Sequence, residues 1–272
     1  MSGGYPLGSI CNAQGAGTNV SGSLPTQLTA AGTANTKGSY AQLIASSSAD
    51  AVFALITMQY SPAANPNAVA VDIAVGGAGS ETVVVPNLLM EGITSSGNWQ
   101  ILIPLHIPAG TRIAARCQSS VASDICYVGM ILFDGDFGLA EGPGGYDAIG
   151  FTSATTLGTA ITPNASVNIK GSYSQLVASA LQDYRGFFAC FDMQNTAITP
   201  YGPWVVDIAI GGAGSEVTIV PDMSVGPANQ YGQFTASMPF LPISIPSGTR
   251  IAARCQSANE TQAIGITLYG AH

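Results

Sequence analysis

The sequence predicts an all-β protein that is a tandem duplication of two antiparallel β-sandwich, jelly-roll-like domains. Three observations lead to this fold class. Blocks of sequence occur twice along the chain, and short runs of alternating apolar residues follow one another. In addition, 33 Gly and 16 Pro among 272 residues suit turns between strands better than long helices. No window carries the sustained 3.6-residue apolar period of an amphipathic helix.

The duplication is evident in three pairs of matching blocks. Lys37–Ser46 recurs as Lys170–Ser179, Asp72–Glu81 as Asp207–Glu216, and Ile107–Ser119 as Ile245–Ser257. The spacing between copies grows from 133 to 138 residues along the chain, which indicates small insertions. We therefore predict two domains of ordinary size, repeat 1 over 21–137 and repeat 2 over 152–272. The Gly- and acid-rich segment 138–151 is predicted to link them, and residues 1–20 to form an N-terminal arm ordered by a partner.

Each repeat is predicted to hold about eight short strands, the spacing of a sandwich or jelly roll. In repeat 1 the runs are Thr26–Ala31, Ser39–Ser46, Val52–Tyr60, Ala68–Val75, Thr82–Val85, Trp99–Leu105, Thr111–Gln118 and Ile125–Phe133. Pro and Gly, among them Pro86 and Gly76–Gly77, separate these runs. Because β-runs flank Gly76–Ser80 and no Lys-Ser/Thr ending follows, we expect a hairpin turn there rather than a phosphate-binding loop.

The charge balance excludes several classes of partner. With 15 acidic and 7 basic residues, the formal charge is −8, so the chain lacks the clustered cations that nucleic-acid binding requires. Disorder is excluded because 47% of the residues are hydrophobic and only 8% are charged. No apolar run approaches the length of a membrane span, and Met1–Pro6 has no secretory pattern. We expect synthesis in a cytoplasm and no membrane or nucleic-acid partner.

The charged residues predict structural ion pairs on the sheets. Six of the seven bases form equivalent pairs across the repeats: Lys37 with Lys170, Arg112 with Arg250, and Arg116 with Arg254. Because strand side chains alternate between faces, Asp72 and both arginines of its repeat lie on polar faces. We predict a cross-strand ion pair of Asp72 with Arg112 or Arg116, and of Asp207 with Arg250 or Arg254. The alternative is an anionic-ligand site on Arg112 and Arg116.

Catalytic, metal and cofactor sites find no support in the sequence, so none is predicted. His106 and His272 are the only histidines and have no counterparts in the other repeat. Cys-x-x-Cys, His-Glu-x-x-His and Gly-x-Ser-x-Gly motifs are all missing from the sequence. Cys117 and Cys126 are predicted neighbours across a hairpin, either as thiols or as a disulfide. We expect a non-enzymatic protein.

Aromatic residues near predicted strand ends leave two interpretations open. Trp99, Trp204, Tyr201 and Tyr231 could stack on sugar rings, as in lectin-like sandwiches, or plug the ends of the sandwiches. The first interpretation makes the chain a carbohydrate- or receptor-binding module that recognises a host surface glycan.

The block Ile107–Ser119 with its copy, and the last strand ending Leu268-Tyr269-Gly270, resemble accessory virion proteins of tailed bacteriophages. This resemblance implies a structural, particle-bound protein: a capsid decoration protein or a head or tail fibre component, located on the virion and contacting capsid or tail proteins. The duplication itself favours a homo-oligomer, with a trimer preferred, because three two-domain chains present six similar domains to a hexagonal lattice. A third hypothesis is a double jelly-roll capsid protein.

Overall fold

The computed structural model describes residues 12–17, 25–60, 67–92, 97–134, 142–192, 203–226, 236–258 and 263–272. Within these ranges the chain forms strands and turns and no helix, so none that could span a membrane. The strands of the first half are β1 (Ala13–Ala16), β2 (Thr26–Thr29), β3 (Ala41–Ile44), β4 (Ala51–Tyr60), β5 (Asn67–Val75), β6 (Thr82–Gly92), β7 (Gly97–Ile107), β8 (Ile113–Ser119) and β9 (Ile125–Phe133). Those of the second half are β10 (Tyr146–Ile149), β11 (Thr159–Ile161), β12 (Ser174–Val177), β13 (Gly186–Asp192), β14 (Trp204–Ile210), β15 (Val217–Val225), β16 (Ala236–Ser237), β17 (Ile251–Ser257) and β18 (Ile264–Ala271).

Strands β1 to β9 build the first sandwich as a jelly roll. One sheet has the order β1-β9-β4-β7, with β2 also paired to β9, and the other has the order β3-β8-β5-β6. All pairings are antiparallel, and the chain passes from one sheet to the other between most successive strands. This alternation between two packed sheets is the jelly-roll arrangement.

Strands β10 to β18 build the second sandwich with the same topology. Its sheets have the orders β10-β18-β13-β16, with β11 on β18, and β12-β17-β14-β15. Each strand occupies the place of the strand nine positions earlier, so the two sandwiches are topological copies. The predicted fold class, a tandem of antiparallel jelly-roll-like sandwiches, is confirmed.

Alternating side chains place the core between the sheets of each sandwich. In β4, Ala54, Ile56 and Met58 are fully buried and point inward, whereas Leu55 and Thr57 point outward and are partly exposed. In β13 the inward residues are Phe187, Ala189 and Phe191. This period of two is what a sheet with one buried face requires.

Two segments predicted to lie outside the sandwiches contain strands. Within the predicted arm, β1 pairs with β9, and within the predicted linker 138–151, β10 pairs with β18. The first sandwich therefore begins before residue 21, and the second begins before residue 152. Both strands are short and flanked by Gly, and they depend on pairing with a distant strand, which the local sequence does not reveal. Residues 1–11, 18–24 and 138–141 lie outside the described ranges.

Strand β6 is longer than predicted because Pro86 does not end it. The strand continues to Gly92, with a register shift opposite β5 and a positive φ of 50° at Asn87. Since β6 is an edge strand, the missing N–H of proline costs no ladder hydrogen bond. The prediction of a strand ending at Val85 was wrong for this reason.

The two sandwiches pack against each other through an apolar interface. The outer face of β10 and β13 lies against β6 of the first sandwich. Tyr269 of β18 also bonds β6, and Tyr146 of β10 bonds Pro104 of β7. Phe188 stacks on Tyr269 with ring centroids 4.5 Å apart. The Tyr269 hydroxyl accepts a hydrogen bond from the Leu89 N–H (3.0 Å) and donates one to the Asn87 carbonyl (2.7 Å). One core cluster therefore contains residues of both sandwiches.

Candidate functional site

A buried carboxylate lies at the centre of a polar cluster in the first sandwich. Asp72 on β5 accepts hydrogen bonds from Lys37 Nζ (2.8 Å), from Arg116 Nε (2.9 Å) and from the backbone N–H of Asn87 (2.9 Å). Register places Arg116 directly opposite Asp72 on the neighbouring strand β8. Of the two arginines considered from the sequence, Arg116 is therefore the one that meets Asp72.

The second sandwich repeats this cluster. Asp207 accepts hydrogen bonds from Lys170 Nζ (2.6 Å), Arg254 Nε (2.8 Å) and the backbone N–H of Asp222 (2.9 Å). The exposed Asp222 stands where the first repeat has Asn87, and its carboxylate lies 3.2 Å from Lys170. The geometry is otherwise the same, which indicates a common structural role.

The other arginine of each repeat has a partner that the sequence analysis missed. Arg112 Nη1 donates to Glu81 Oε1 (3.0 Å) and to the carbonyl of Gly76, and Arg250 binds Glu216 (3.0 Å) and Gly211 in the same way. Both glutamates end the repeated block that starts at Asp72 or Asp207. The recurrence of this glutamate in both blocks was the feature of the sequence from which the arginine partners could have been predicted. These contacts fasten the hairpin between β5 and β6, whose Gly76 and Gly79 have positive φ, as the sequence predicted for a turn.

Two tyrosines complete the clusters. The Arg116 guanidinium lies over the Tyr40 ring, and that of Arg254 over the Tyr173 ring, each 4.5 Å from the ring centroid. Such cation–π contacts favour a fixed orientation of the guanidinium. Both tyrosines belong to the first pair of repeated blocks, so their recurrence in the sequence could have predicted that they share a role.

The protonation equilibria follow from this packing. Burial would raise the pKa of Asp207, but hydrogen bonds from Lys170, the Asp222 backbone and Arg254 outweigh it and hold the pKa below its usual value. Burial lowers the pKa of Lys37, and its pairing with Asp72 offsets part of that effect. Backbone hydrogen bonds and the paired arginines lower the pKa of Glu81 and of Glu216. The donors of the clusters are thus directed at protein acceptors, as in a structural network.

Cys117 and Cys126 are neighbouring buried thiols. A hydrogen bond with Cys117, together with burial, raises the pKa of Cys126 well above that of a free thiol. Both are free cysteines, as are Cys190 and Cys255 among the described residues. The two cysteines are neighbours, as predicted, and no disulfide joins them. The raised pKa makes the Cys126 thiol a poor nucleophile.

The aromatic residues proposed for sugar stacking are buried where the structure describes them. Trp99 is 6% exposed in the first core, and Trp204 is 1% exposed in the second. Both sit at the start of a strand and point inward, so the stacking interpretation was wrong for them and the plugging interpretation describes them. Tyr201 and Tyr231 lie outside the described residues.

A polar groove recurs at the same place in both sandwiches, beside the segment that joins β2 to β3 and its counterpart. The first has a volume of 530 Å³ and is lined by Thr29, Lys37, Ser39 and Tyr40, among others. The second has a volume of 340 Å³, with Thr162, Asn164, Ser172 and Ser174 in its lining. Both grooves are open to solvent, and hydroxyl side chains are part of both linings.

Metal-binding clusters do not occur in the part of the chain that the structure describes, where no three His, Cys, Asp or Glu residues converge. His106 lies on β7, and its backbone N–H donates to the Pro143 carbonyl at 3.0 Å.

No protein-family model and no curated protein matches this chain. Among solved structures, it is similar to the STIV MCP, a viral major capsid protein, with 10% identity, a TM-score of 0.37 and 96% of each chain covered. It is also similar to the tandem CBM22-1-CBM22-2 domain of Paenibacillus barcinonensis Xyn10C (11% identity, TM-score 0.29, 96% of this chain and 90% of that one). A third is PNGase F, a glycosylasparaginase from Flavobacterium meningosepticum (9% identity, TM-score 0.33, 94% and 99%). At these values the likenesses do not bear on function.

Proposed function

We propose that the chain is a non-enzymatic structural component of a bacteriophage particle, displayed on the virion as a capsid decoration protein or as a head or tail fibre component. The observation that carries this proposal is the packing of two topologically identical jelly rolls into one block with a shared core. Jelly rolls recur in viral capsid proteins and in lectins, so the fold supports a structural role in a virus particle. The fold alone does not imply that function.

The distribution of charge supports a protein whose faces are covered by neighbours. Six of the seven bases donate to carboxylates of their own sandwich, and Arg185 is the exposed exception. Few cations are therefore left to project into solvent. Interface cores are depleted in charged residues relative to the rest of a protein surface.

The proposal includes location and partners. The chain is synthesised in the host cytoplasm and becomes part of the virion, where it contacts capsid or tail proteins. It acts as a homo-oligomer, and a trimer places six similar sandwiches around one axis.

Mass spectrometry of density-purified phage particles from the source sample tests the role. We expect tryptic peptides such as Gly171–Arg185 to co-purify with capsid, portal and tail peptides in a fixed ratio. Recovery of the chain only from the particle-free fraction would contradict the proposal.

A double jelly-roll capsid protein is the second candidate, and the tandem sandwiches with a shared core favour it. The same measurement separates the two roles. A shell-forming protein would be the most abundant component of the particle, and the purified chain would assemble into closed shells visible by negative-stain electron microscopy. A decoration or fibre protein would need a separate shell protein.

A carbohydrate-binding module is the third candidate, and the recurrence of the polar groove in both sandwiches favours it. A glycan array probed with the wild-type chain tests it. Binding should disappear in the double variant Ser39→Trp, Ser172→Trp, which fills both grooves, and persist in Ser247→Trp, which changes an exposed turn elsewhere. Absence of any bound glycan, or equal binding by all three proteins, would contradict this function.

A further inference from the structure

The second sandwich has an apolar outer face that the first sandwich covers. Phe188 and Cys190 on β13, and Tyr269 and Ala271 on β18, point away from the core of their own sandwich and are fully buried. Tyr146 on β10 extends the same face and is 3% exposed. Contact with the first sandwich accounts for this burial.

The surface that covers this face is one edge of the first sandwich, formed by β6 and β7. Besides the two hydrogen bonds of Tyr269, the Tyr146 hydroxyl donates to the Pro104 carbonyl, and the His106 N–H donates to the Pro143 carbonyl. Pro104 is buried by this contact. A face of one sandwich thus meets an edge of the other. Because the two surfaces that meet are different, the contact is heterologous.

The first sandwich carries the same face, and among the described residues no second edge lies against it. Strand register and the repeat spacing place Leu55 where Phe188 lies, Ile131 where Tyr269 lies and Phe133 where Ala271 lies. All three are apolar, point outward and are only partly buried. On the neighbouring strand, in register with Leu55, Leu102 is 51% exposed. A sandwich face that stays in water normally carries polar residues at these alternate positions.

The second sandwich in turn carries the matching edge, which is exposed at three described positions. Pro242 and Ser244 hold the positions of Pro104 and His106, and both are exposed. Asp222, at the position of Asn87, has a side chain that is 75% exposed. Within the described residues, one face and one edge are therefore joined inside the chain, and a second face and a second edge of the same kind remain exposed.

We infer that the outer face of β1-β9-β4-β7 binds the edge of a second copy of this chain, formed by β15 and residues 238–245. Each chain offers one face and one edge, so the contact runs head to tail and repeats the one inside the chain. Head-to-tail contacts close into a ring when the rotation per subunit allows it. The inference deepens the homo-oligomer part of the proposed function and rests on it: a monomer would overturn both, whereas the virion location keeps its own test by mass spectrometry of particles.

The chain-to-chain contact is weaker than the contact within the chain. Ile131 has no hydroxyl to replace that of Tyr269, so the two hydrogen bonds to the facing edge are not formed. Apolar packing by Leu55, Leu102, Ile131 and Phe133 remains. The oligomer therefore dissociates on dilution, whereas the two sandwiches of one chain stay together.

Sedimentation velocity on the full chain, over a hundredfold range of concentration, tests the inference. The wild-type chain should sediment as an oligomer at the highest concentration, with a mass that is a multiple of 27.5 kDa. Leu102→Asp should remain monomeric throughout. Ile169→Asp is the matched control, because Ile169 is 50% exposed on another surface, and it should sediment like the wild type. A monomeric wild type, or an oligomer that Leu102→Asp leaves intact, overturns the inference.

A mixing experiment distinguishes head-to-tail association from face-to-face pairing. The edge variant Ser244→Arg should also be monomeric alone. An equal mixture of Leu102→Asp and Ser244→Arg chains should form a one-to-one heterodimer that grows no further, because only one intact face and one intact edge can meet. Native mass spectrometry identifies this species. Assembly of Ser244→Arg alone, or no heterodimer in the mixture, contradicts the head-to-tail contact.

Discussion

At the scale of single residues, one buried carboxylate in each sandwich joins two basic side chains and a backbone N–H. Asp72 and Asp207 are each buried and each receive two cations and a backbone N–H. Breaking a buried pair is costly because the remaining charges lose their partner, even where the intact pair contributes little net stability. The carboxylates therefore maintain the arrangement of β5, β8 and the segment before β3.

Asp72→Asn should lower the free energy of unfolding by about 2–3 kcal/mol, because it leaves buried cations without their carboxylate. This is less than the full penalty for breaking a buried pair, because the side chain of Arg116 is 31% exposed and partly solvated. Urea unfolding followed by circular dichroism measures the change. The control is Asp222→Asn, which gives the second repeat the asparagine that the first repeat has at the equivalent position, Asn87. This substitution should change the free energy of unfolding by less than about 0.5 kcal/mol. Equal effects of the two substitutions would be inconsistent with the role assigned to Asp72.

The lowered pKa of Asp207 makes the stability of the chain depend on pH in acid. A carboxylate whose pKa is lower in the folded than in the unfolded state stabilises the fold above its usual pKa of 3.8, and this contribution is lost as the pH falls toward the folded value. We expect Tm to fall below about pH 4. Asp207→Asn should show a lower Tm at neutral pH and a shallower decrease in acid. Parallel curves for the two proteins would argue against this assignment.

At the scale of elements, both repeats use a glycine where one segment crosses another. A Cβ on Gly38 would lie 1.9 Å from the Thr29 carbonyl oxygen, and one on Gly171 would lie 2.1 Å from that of Thr162. Both contacts are with backbone, so neither can relax by a rotamer change. These glycines allow the segment before β3 or β12 to pack on the end of β2 or β11.

Gly38→Ala and Gly171→Ala should each destabilise the chain by about 1–3 kcal/mol through overpacking. Gly32→Ala is the control, because a Cβ there meets nothing within 4 Å, and the second repeat already has Ala165 at the equivalent position. Thermal unfolding of the three variants gives the comparison. If Gly32→Ala were as harmful as the other two, close packing would not be the cause.

Strand bounds show how far the local sequence predicts elements. The alternation in β4, β5, β8 and β9 predicted these strands to within two residues. Pro86 misled the prediction of β6, because whether proline ends a strand depends on the strand's position in the sheet. The strands β1 and β10 were missed because their pairing with β9 and β18 joins residues more than a hundred positions apart.

At the scale of the whole molecule, the interface between the sandwiches makes one block of two repeats. Tyr269 lies at its centre, bonded to two backbone groups of β6 and stacked on Phe188. A buried N–H left without an acceptor costs about 1–3 kcal/mol, so this hydroxyl contributes to the coupling.

Tyr269→Phe should therefore weaken the coupling between the sandwiches. Differential scanning calorimetry of the wild type should show one cooperative transition, and the variant should show a broader or split transition at lower temperature. Tyr184→Phe is the control, because it removes a hydrogen bond to Asp147 inside the second half and should lower stability without splitting the transition. Two separate transitions already in the wild type would contradict the coupling.

The sequence by itself determined that the protein is a duplicated β-sandwich, because repeated blocks and a period of two are properties of the linear chain. It also determined that the bases occur as equivalent pairs. Only the tertiary structure decided that Arg116 meets Asp72 while Arg112 meets Glu81, that Trp99 and Trp204 are buried, and that a face of the second sandwich lies on an edge of the first. These outcomes depend on strand register and on which surfaces meet, and both are set by contacts between residues far apart in the chain.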